Sequence, residues 1–211
     1  MVPAPQTPAH THGSIVIDLS SPILPPGFFA APAPVLARQL IGARLLVDGV
    51  GGTIVETEAY DSTDPASHSF SGPTARNAAM FGPPGHAYVY RSYGMHWCLN
   101  LVCGPVAGGA VLLRALVPED GIPLMRERRG PVPDRDLCRG PGRLCQALGV
   151  TVAHDGLPLD APPFHLIPGP AEGMGEGAVV AGPRIGITRG ADTPWRFSLR
   201  GSRFLSRPAR G

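Results

Sequence analysis

IVETEAY at residues 54–60 and YVYRSYGMHWCLN at residues 88–100 bracket the stretch on which the reading of this 211-residue chain turns. Both flanks are strand candidates. The first, Thr53–Tyr60, opens with β-branched residues. With a period of two it sends Ile54, Glu56, Glu58 and Tyr60 to one face and Val55, Thr57 and Ala59 to the other. The second divides into a strand at Ala87–Arg91, a turn at Ser92-Tyr93-Gly94 and a strand at Met95–Cys103, a β-hairpin with a tyrosine at or near its tip. Aromatic residues are 6% of the chain, yet all four tyrosines (Tyr60, Tyr88, Tyr90, Tyr93) fall here, beside Glu56, Glu58 and His68. Tyrosines needed only for core volume would be scattered. Gathered beside carboxylates, they predict a stacking pocket with acid/base chemistry for a flat, π-rich substrate such as a nucleobase. Two glutamates on one strand face also fit a solvated surface, and periodicity does not say which of them works.

Between the flanks, residues 61–87 carry turn formers (DSTDP, SGP, GPPG) with little periodicity. A connection of that length in a compact domain is usually functional or disordered. This one holds His68, Phe70, Arg76, Asn77, Met80 and Phe81, too many binding side chains for a plain linker. Further on, GGAVLLRALVP (108–118) reads as a strand with Arg114 among apolar neighbours. Buried there, Arg114 requires acceptors, and Glu56 or Glu58 are the natural ones; facing solvent, it requires none.

Outward from this centre, PVLARQLIGARLL predicts a helix with Pro34 in its first turn, followed by a strand at Arg44–Val47 and a turn at DGVGG. EDGIPLMRERRG predicts a helix whose closing arginines suit its dipole. PDRDLCRGPGRLCQALGV predicts a short helix, then one opened by Gly-Pro-Gly, whose free amides with Arg139 and Arg143 suit a phosphate. Residues 154–178 are rich in Pro and Gly, with HDGLPLD as a turn-and-edge element. AVVAGPRIGITRG and WRFSLRGSRFL read as closing strands. Arg196, Arg200, Arg203, Arg207 and Arg210 either face nucleic acid or solubilise the end. Residues 1–13, with His10 and His12, read as a flexible tail before one domain at 14–211.

Composition sets further bounds. The formal charge is only +2, but there is no lysine: all 18 cationic side chains are arginine. Coding bias is a sufficient cause, and the chemical consequence holds regardless: no lysine Schiff base can form, and only the α-amino group could serve as an amine nucleophile. Cys98, Cys103, Cys138 and Cys145 lack C-x-x-C spacing and read as buried free thiols of a reducing compartment rather than zinc ligands. There is no secretory pattern at the start and no run of 18 apolar residues, so secretion and membrane spanning are disfavoured. A cytoplasmic, nucleoid-associated protein is the expectation.

The runs IVETEAY, ASHS, T-x-RN-x-x-MF-x-x-PG, YVY-x-x-YGM, Asn100, VLLRAL and GP-x-R-LCQAL occur in order and resemble the alkyladenine (3-methyladenine) DNA glycosylase family. The resemblance implies a single-domain, mixed α/β (α+β) fold: a curved antiparallel sheet with flanking helices and a protruding β-hairpin. It implies a monofunctional glycosylase that flips damaged purines out of double-stranded DNA and hydrolyses their N-glycosidic bond with water, leaving an abasic site for base excision repair. Alkylated purines such as 3-methyladenine and 7-methylguanine are the expected substrates, with deaminated or etheno purines open. By position, Glu58 matches the general base and Arg114 the arginine that helps hold glutamate and water. Tyr60, His68, Tyr90 and Asn100 match the base pocket, Tyr93 the residue that intercalates, and Arg76, Asn77 and Arg143 the DNA-backbone contacts. No cofactor, no metal and no membrane partner are implied, and a monomer is expected. Two rivals stand beside this: a damage sensor that binds without cutting, and a metal-dependent hydrolase using His68, His86 and His96.

Overall fold

Two residues, Asp48 and Gly49, fold the chain back on itself at the start of the sheet. Both take left-handed backbone angles, φ +48° and +77°, as a two-residue hairpin turn of the type that matches strand twist requires. Strand β1 (Arg44–Val47) therefore pairs directly with β2 (Val50–Tyr60), Val47 opposite Val50. The expected DGVGG turn is thus shorter than its composition suggested. Gly51 and Gly52 already lie in β2, where a Cβ would stand 1.8 Å from the Leu45 carbonyl oxygen and 1.9 Å from that of Val117. Only glycine fits between those neighbouring strands.

The computed structural model describes residues 23–169, 175 and 177–208. The expected tail at 1–13, its two histidines and Arg210 lie outside the described residues. Helix α1 (Ala33–Gln39) precedes β1, with Pro34 in its first turn. After β2 come β3 (Ala87–Ser92), β4 (His96–Cys103) and β5 (Gly109–Asp120), then α2 (Ile122–Arg129) and α3 (Pro141–Leu148). Strands β6 (Phe164–Ile167), β7 (Val179–Gly182) and β8 (Arg196–Leu199) close the fold. All pairings are antiparallel, in the order β3-β4-β5-β2-β1-β6, with β8 also pairing β2 and β7. This is the curved antiparallel sheet with flanking helices that the resemblance implied.

Strand β6 sits inside the Pro- and Gly-rich stretch 154–178, just beyond the HDGLPLD turn-and-edge element; it is four residues long and follows Pro162-Pro163. The expected strand over AVVAGPRIGITRG ends at Gly182, and residues 183–195 run as irregular chain.

One face of the sheet packs on α1, α2 and α3. Leu36 and Leu40, Leu45, Leu99 and Leu101, Leu113 and Leu116, and Leu144 are fully buried there. Each such side chain contributes about 1.5–3 kcal/mol relative to an exposed one. Thr57 belongs to this face too, its hydroxyl donating to the Ala37 carbonyl at 2.8 Å.

The expected alternation of β2 fails at one place. Pairing with β5 slips on both sides of Glu56: Ile54 lies opposite Leu116, Glu56 opposite Ala115, and Thr57 opposite Leu113. Ile54, Thr57 and Ala59 therefore face the helices, whereas Val55 packs with Ala115 and Leu205 on the other side, along with Glu56 and Glu58. Ile54 does not share the face of the glutamates. The irregularity is mirrored in β5, where Leu113 and Leu116 share the core and Arg114 and Ala115 both turn away. Such breaks in a ladder re-aim side chains, and this one directs Glu56, Glu58 and Arg114 together.

Candidate active site

The face of the sheet turned from the helices lines a 640 Å³ cavity. Glu58, Tyr60, His68, Arg76, Tyr90, Tyr93, Asn100 and Arg114 all line it, so eight of the ten expected site residues converge.

Glu58 has no exposed surface, and three donors hold its carboxylate. Oε2 accepts from the Tyr60 hydroxyl at 2.8 Å and Arg114 Nη1 at 3.0 Å, and Oε1 from the Ile185 backbone N–H at 2.7 Å. Charge-assisted bonds of this kind fix a carboxylate's plane. Burial, and next the Glu58 charge, raises the Tyr60 phenol far above its ordinary value, so Tyr60 stays a donor.

Arg114 is 6% exposed and answers both carboxylates. Its Nε donates to Glu56 Oε1 at 3.1 Å, while Nη2 donates to the Ser206 hydroxyl at 3.2 Å. Burial pulls against its charge, but Glu58 and then Glu56 outweigh that and hold its pKa above the usual arginine value. The two partners open in the sequence are thus both used. Glu56 does not line the cavity; it gathers Arg114, Arg196 Nε at 2.7 Å and the Ser206 hydroxyl at 2.8 Å on one oxygen, and the Ser206 N–H on the other. Arg196, expected at the surface or on nucleic acid, is a buried ion-pair partner instead.

The aromatic walls come from β2, β3 and the 61–77 loop. Tyr88 and Tyr90 rings lie 5.4 Å apart, and the His68 ring meets Tyr90 edge-on at 4.5 Å. His68 Nδ1 shares a 2.9 Å hydrogen bond with the Tyr88 hydroxyl. Desolvation, then the Arg76 charge, lowers the His68 pKa below its ordinary value, leaving the ring neutral at pH 7. Burial pushes the Tyr88 phenol up to about 12 and that of Tyr90 further. Asn100 donates from Nδ2 to the Tyr88 carbonyl at 3.0 Å, directly across the strand pair. The hairpin turn Tyr93–Met95 is open to solvent: Tyr93 is 87% exposed and holds φ +50°, a costly conformation for a bulky residue.

Two expected residues lie elsewhere. Asn77 is buried, its Oδ1 accepting from Thr74 and its Nδ2 donating to the His68 and Gly72 carbonyls. It shapes the loop that carries His68 rather than facing outward as a phosphate contact would. Arg143 is exposed on the first turn of α3. That turn lies against the root of the hairpin, since a Cβ on Gly142 would stand 2.8 Å from His96 Cβ. Ile185, Asp64, Arg184, Arg196 and Ser206 also serve the site; each works through a backbone group or a distant ion pair, which no local sequence pattern marks. Among the described residues, no three His, Cys, Asp or Glu side chains cluster to hold a metal, and no helix is long and apolar enough to cross a membrane. All four cysteines are free and buried.

The methylpurine-DNA glycosylase family model matches residues 27–203. The chain belongs to that family. Among similar proteins, one from Granulibacter bethesdensis named "Putative 3-methyladenine DNA glycosylase" is 62% identical over 190 residues, 90% of each chain. Relatives of the same name from Rhodopseudomonas palustris (strain BisB18) and Nitrosospira multiformis are each 61% identical, over 89% and 86% of this chain and 92% and 93% of theirs. The match takes in every described strand and helix from α1 to β8. Ser206, which touches both Glu56 and Arg114, lies just beyond the matched residues.

Proposed function

We propose that the protein flips an alkylated purine out of duplex DNA and hydrolyses its N-glycosidic bond with water, leaving an abasic site. The observation that carries this reading is Glu58, a fully buried carboxylate at the cavity wall held by three donors and flanked by Arg114. A base inside a duplex does not present its sugar C1′, so it must leave the stack. In the cavity, Glu58 takes a proton from water and its charge stabilises the oxocarbenium-like transition state. Arg114 keeps that carboxylate oriented.

Alkylation at a ring nitrogen makes the purine a cation, and the faces of Tyr60 and Tyr90 favour a cation over a neutral base by about 0.5–2 kcal/mol. Asn100, tied to the Tyr88 carbonyl, presents a fixed polar group where guanine's exocyclic amine would crowd it, a penalty of about 1–3 kcal/mol. Arg76 at the cavity rim and Arg143 on α3 contact phosphates. With no lysine in the chain, only the α-amino group could act as an amine nucleophile; the Glu58 site favours water, and no lyase step is expected. The protein acts as a monomer on double-stranded DNA in the cytoplasm.

Tyr93 fills the space left by the flipped nucleotide. Because its ring is exposed, Tyr93→Ala is expected to leave stability within about 0.5 kcal/mol. Loss of base stacking should nonetheless weaken lesion-duplex binding by about tenfold, at the lower end of what aromatic–base contacts contribute. Unchanged lesion binding in a titration would remove Tyr93 from that role.

The deciding experiment is single-turnover release of base from duplexes carrying one 7-methylguanine, one hypoxanthine or only normal guanine. Release of a damaged base but not of guanine supports the reading; tight lesion binding without release supports a sensor. Because a carboxylate activates the water, EDTA is expected to leave the rate unchanged. A rate abolished by EDTA and restored by a divalent ion would overturn the water-activation step.

A further inference from the structure

The cavity has two walls that come from distant parts of the chain, and one buried ion pair joins them. Asp64 lies early in the 61–77 loop that carries Ala66 and His68; Arg184 precedes Ile185, Gly186 and Ile187. Asp64 is 4% exposed and Arg184 6%. The guanidinium meets the carboxylate with both terminal nitrogens, Nη1 on Oδ2 and Nη2 on Oδ1 at 2.9 Å. Nη1 also donates to the Ala59 carbonyl at 3.0 Å, and Nη2 to the Gly190 carbonyl at 3.1 Å. The same group stacks 4.7 Å from the centre of the Tyr60 ring and 5.5 Å from that of Trp195. The next residue along the chain delivers the Ile185 N–H to Glu58 Oε1 at 2.7 Å.

Resting on the glycosylase reading, we infer that Arg184 and Asp64 are positioning residues for Glu58. Arg184 bolts the irregular 183–190 segment to β2 at Ala59 and to the His68 loop at Asp64. Segment 183–190 has no sheet ladder of its own beyond Gly182, so these bonds set where the Ile185 amide points. Two of Glu58's three donors then depend on Arg184: the Ile185 N–H directly, and the Tyr60 hydroxyl through the ring that the guanidinium covers. Arginine is required for this, because only a planar fork meets a carboxylate end-on while its outer hydrogens reach two carbonyls. A lysine keeps the charge and loses that geometry.

The test compares Arg184→Lys, Asp64→Asn and the double variant. The groups facing Glu58 are Tyr60 on β2, Arg114 on β5, Cys98 on β4, Arg196 on β8 and the Arg184 charge, with Glu56 acting through Arg114. Arg184→Lys leaves all those charges in place, so a change reports geometry. Losing the Ile185 donor leaves the Glu58 carboxylate less firmly oriented, and the loss is expected in kcat with KM little changed. The rate at neutral pH should fall by about a hundredfold, the scale of a 1 Å misplacement. The double variant should be no slower than the worse single one, because both changes break the same bolt. Hydrogen exchange at the Ile185 amide is expected to be slow in wild type, where Glu58 accepts it, and fast in every variant.

Unchanged exchange and an unchanged kcat, with only a lower melting temperature, would overturn the inference and leave a stabilising ion pair. Multiplying losses in the double variant would overturn it as well. A wild type that releases no damaged base would count against the glycosylase reading instead, and the Ile185 exchange would then decide the positioning role alone.

Discussion

Glu58→Gln is expected to slow release of a damaged base by at least about a thousandfold, the combined scale of losing a general base and a stabilising charge, with lesion DNA still bound. The reason is visible in the donors. Both carboxylate oxygens face N–H or O–H groups: Ile185 N–H on one side, Arg114 Nη1 and the Tyr60 hydroxyl on the other. Glutamine must point its own NH₂ at one of those donors, whichever way the amide is turned. It neither accepts a proton from water nor opposes positive charge at the sugar. The mispairing costs about 1–3 kcal/mol of stability, so the variant should remain folded at room temperature, which circular dichroism checks. Single-turnover release and duplex binding, measured side by side, separate chemistry from recognition. A variant that releases base at more than about a tenth of the wild-type rate would move the general base elsewhere, and equal loss of binding and release would make Glu58 a recognition group.

Most of the fold was legible because local chemistry and tertiary demand agree there. The strand at Arg44–Val47, the strands either side of Tyr93, and the helix from Pro141 closed by Gly149 lie where turn residues and apolar periods put them. The convergence of Glu58, Tyr60, His68, Tyr90, Asn100 and Arg114 on one cavity was legible from the clustering of tyrosines and the family's motifs. Four things were not. The alternation of β2 breaks at Glu56 because two strands slip together, and a slip is a property of the pair, not of either sequence. Arg196 looks like any basic residue near a chain end until Glu56, 140 residues away, is seen to hold it. The Ile185 contribution is a backbone amide, so no side chain announces it. Strand β6 was hidden for a milder reason: four residues beyond two prolines carry too short a pattern to outweigh the composition around them.

Glu56→Gln should do the reverse of Glu58→Gln, with its main effect on stability. Glu56 has no exposed surface and does not line the cavity. Its one charge sits between the guanidiniums of Arg114 and Arg196. Arg114 retains Glu58, but Arg196 loses its one carboxylate among the described residues. Neither amide orientation is satisfactory, since one oxygen receives Arg114, Arg196 and the Ser206 hydroxyl and the other receives the Ser206 N–H. Breaking a buried ion pair by removing one partner costs about 3–5 kcal/mol. For a chain of this size that is a fall in melting temperature on the order of 10 °C. Because Arg114 bridges Glu56 and Glu58, some rate is lost as well, but the folded fraction of Glu56→Gln should release base far faster than Glu58→Gln does. A thermal melt and a single-turnover assay on the two variants form the test. If Glu56→Gln melts within about 1 °C of wild type, less than a 1 kcal/mol change would give, the Glu56 network does not carry the burial of Arg196. If it is as inactive as Glu58→Gln while melting normally, the general base has been assigned to the wrong glutamate.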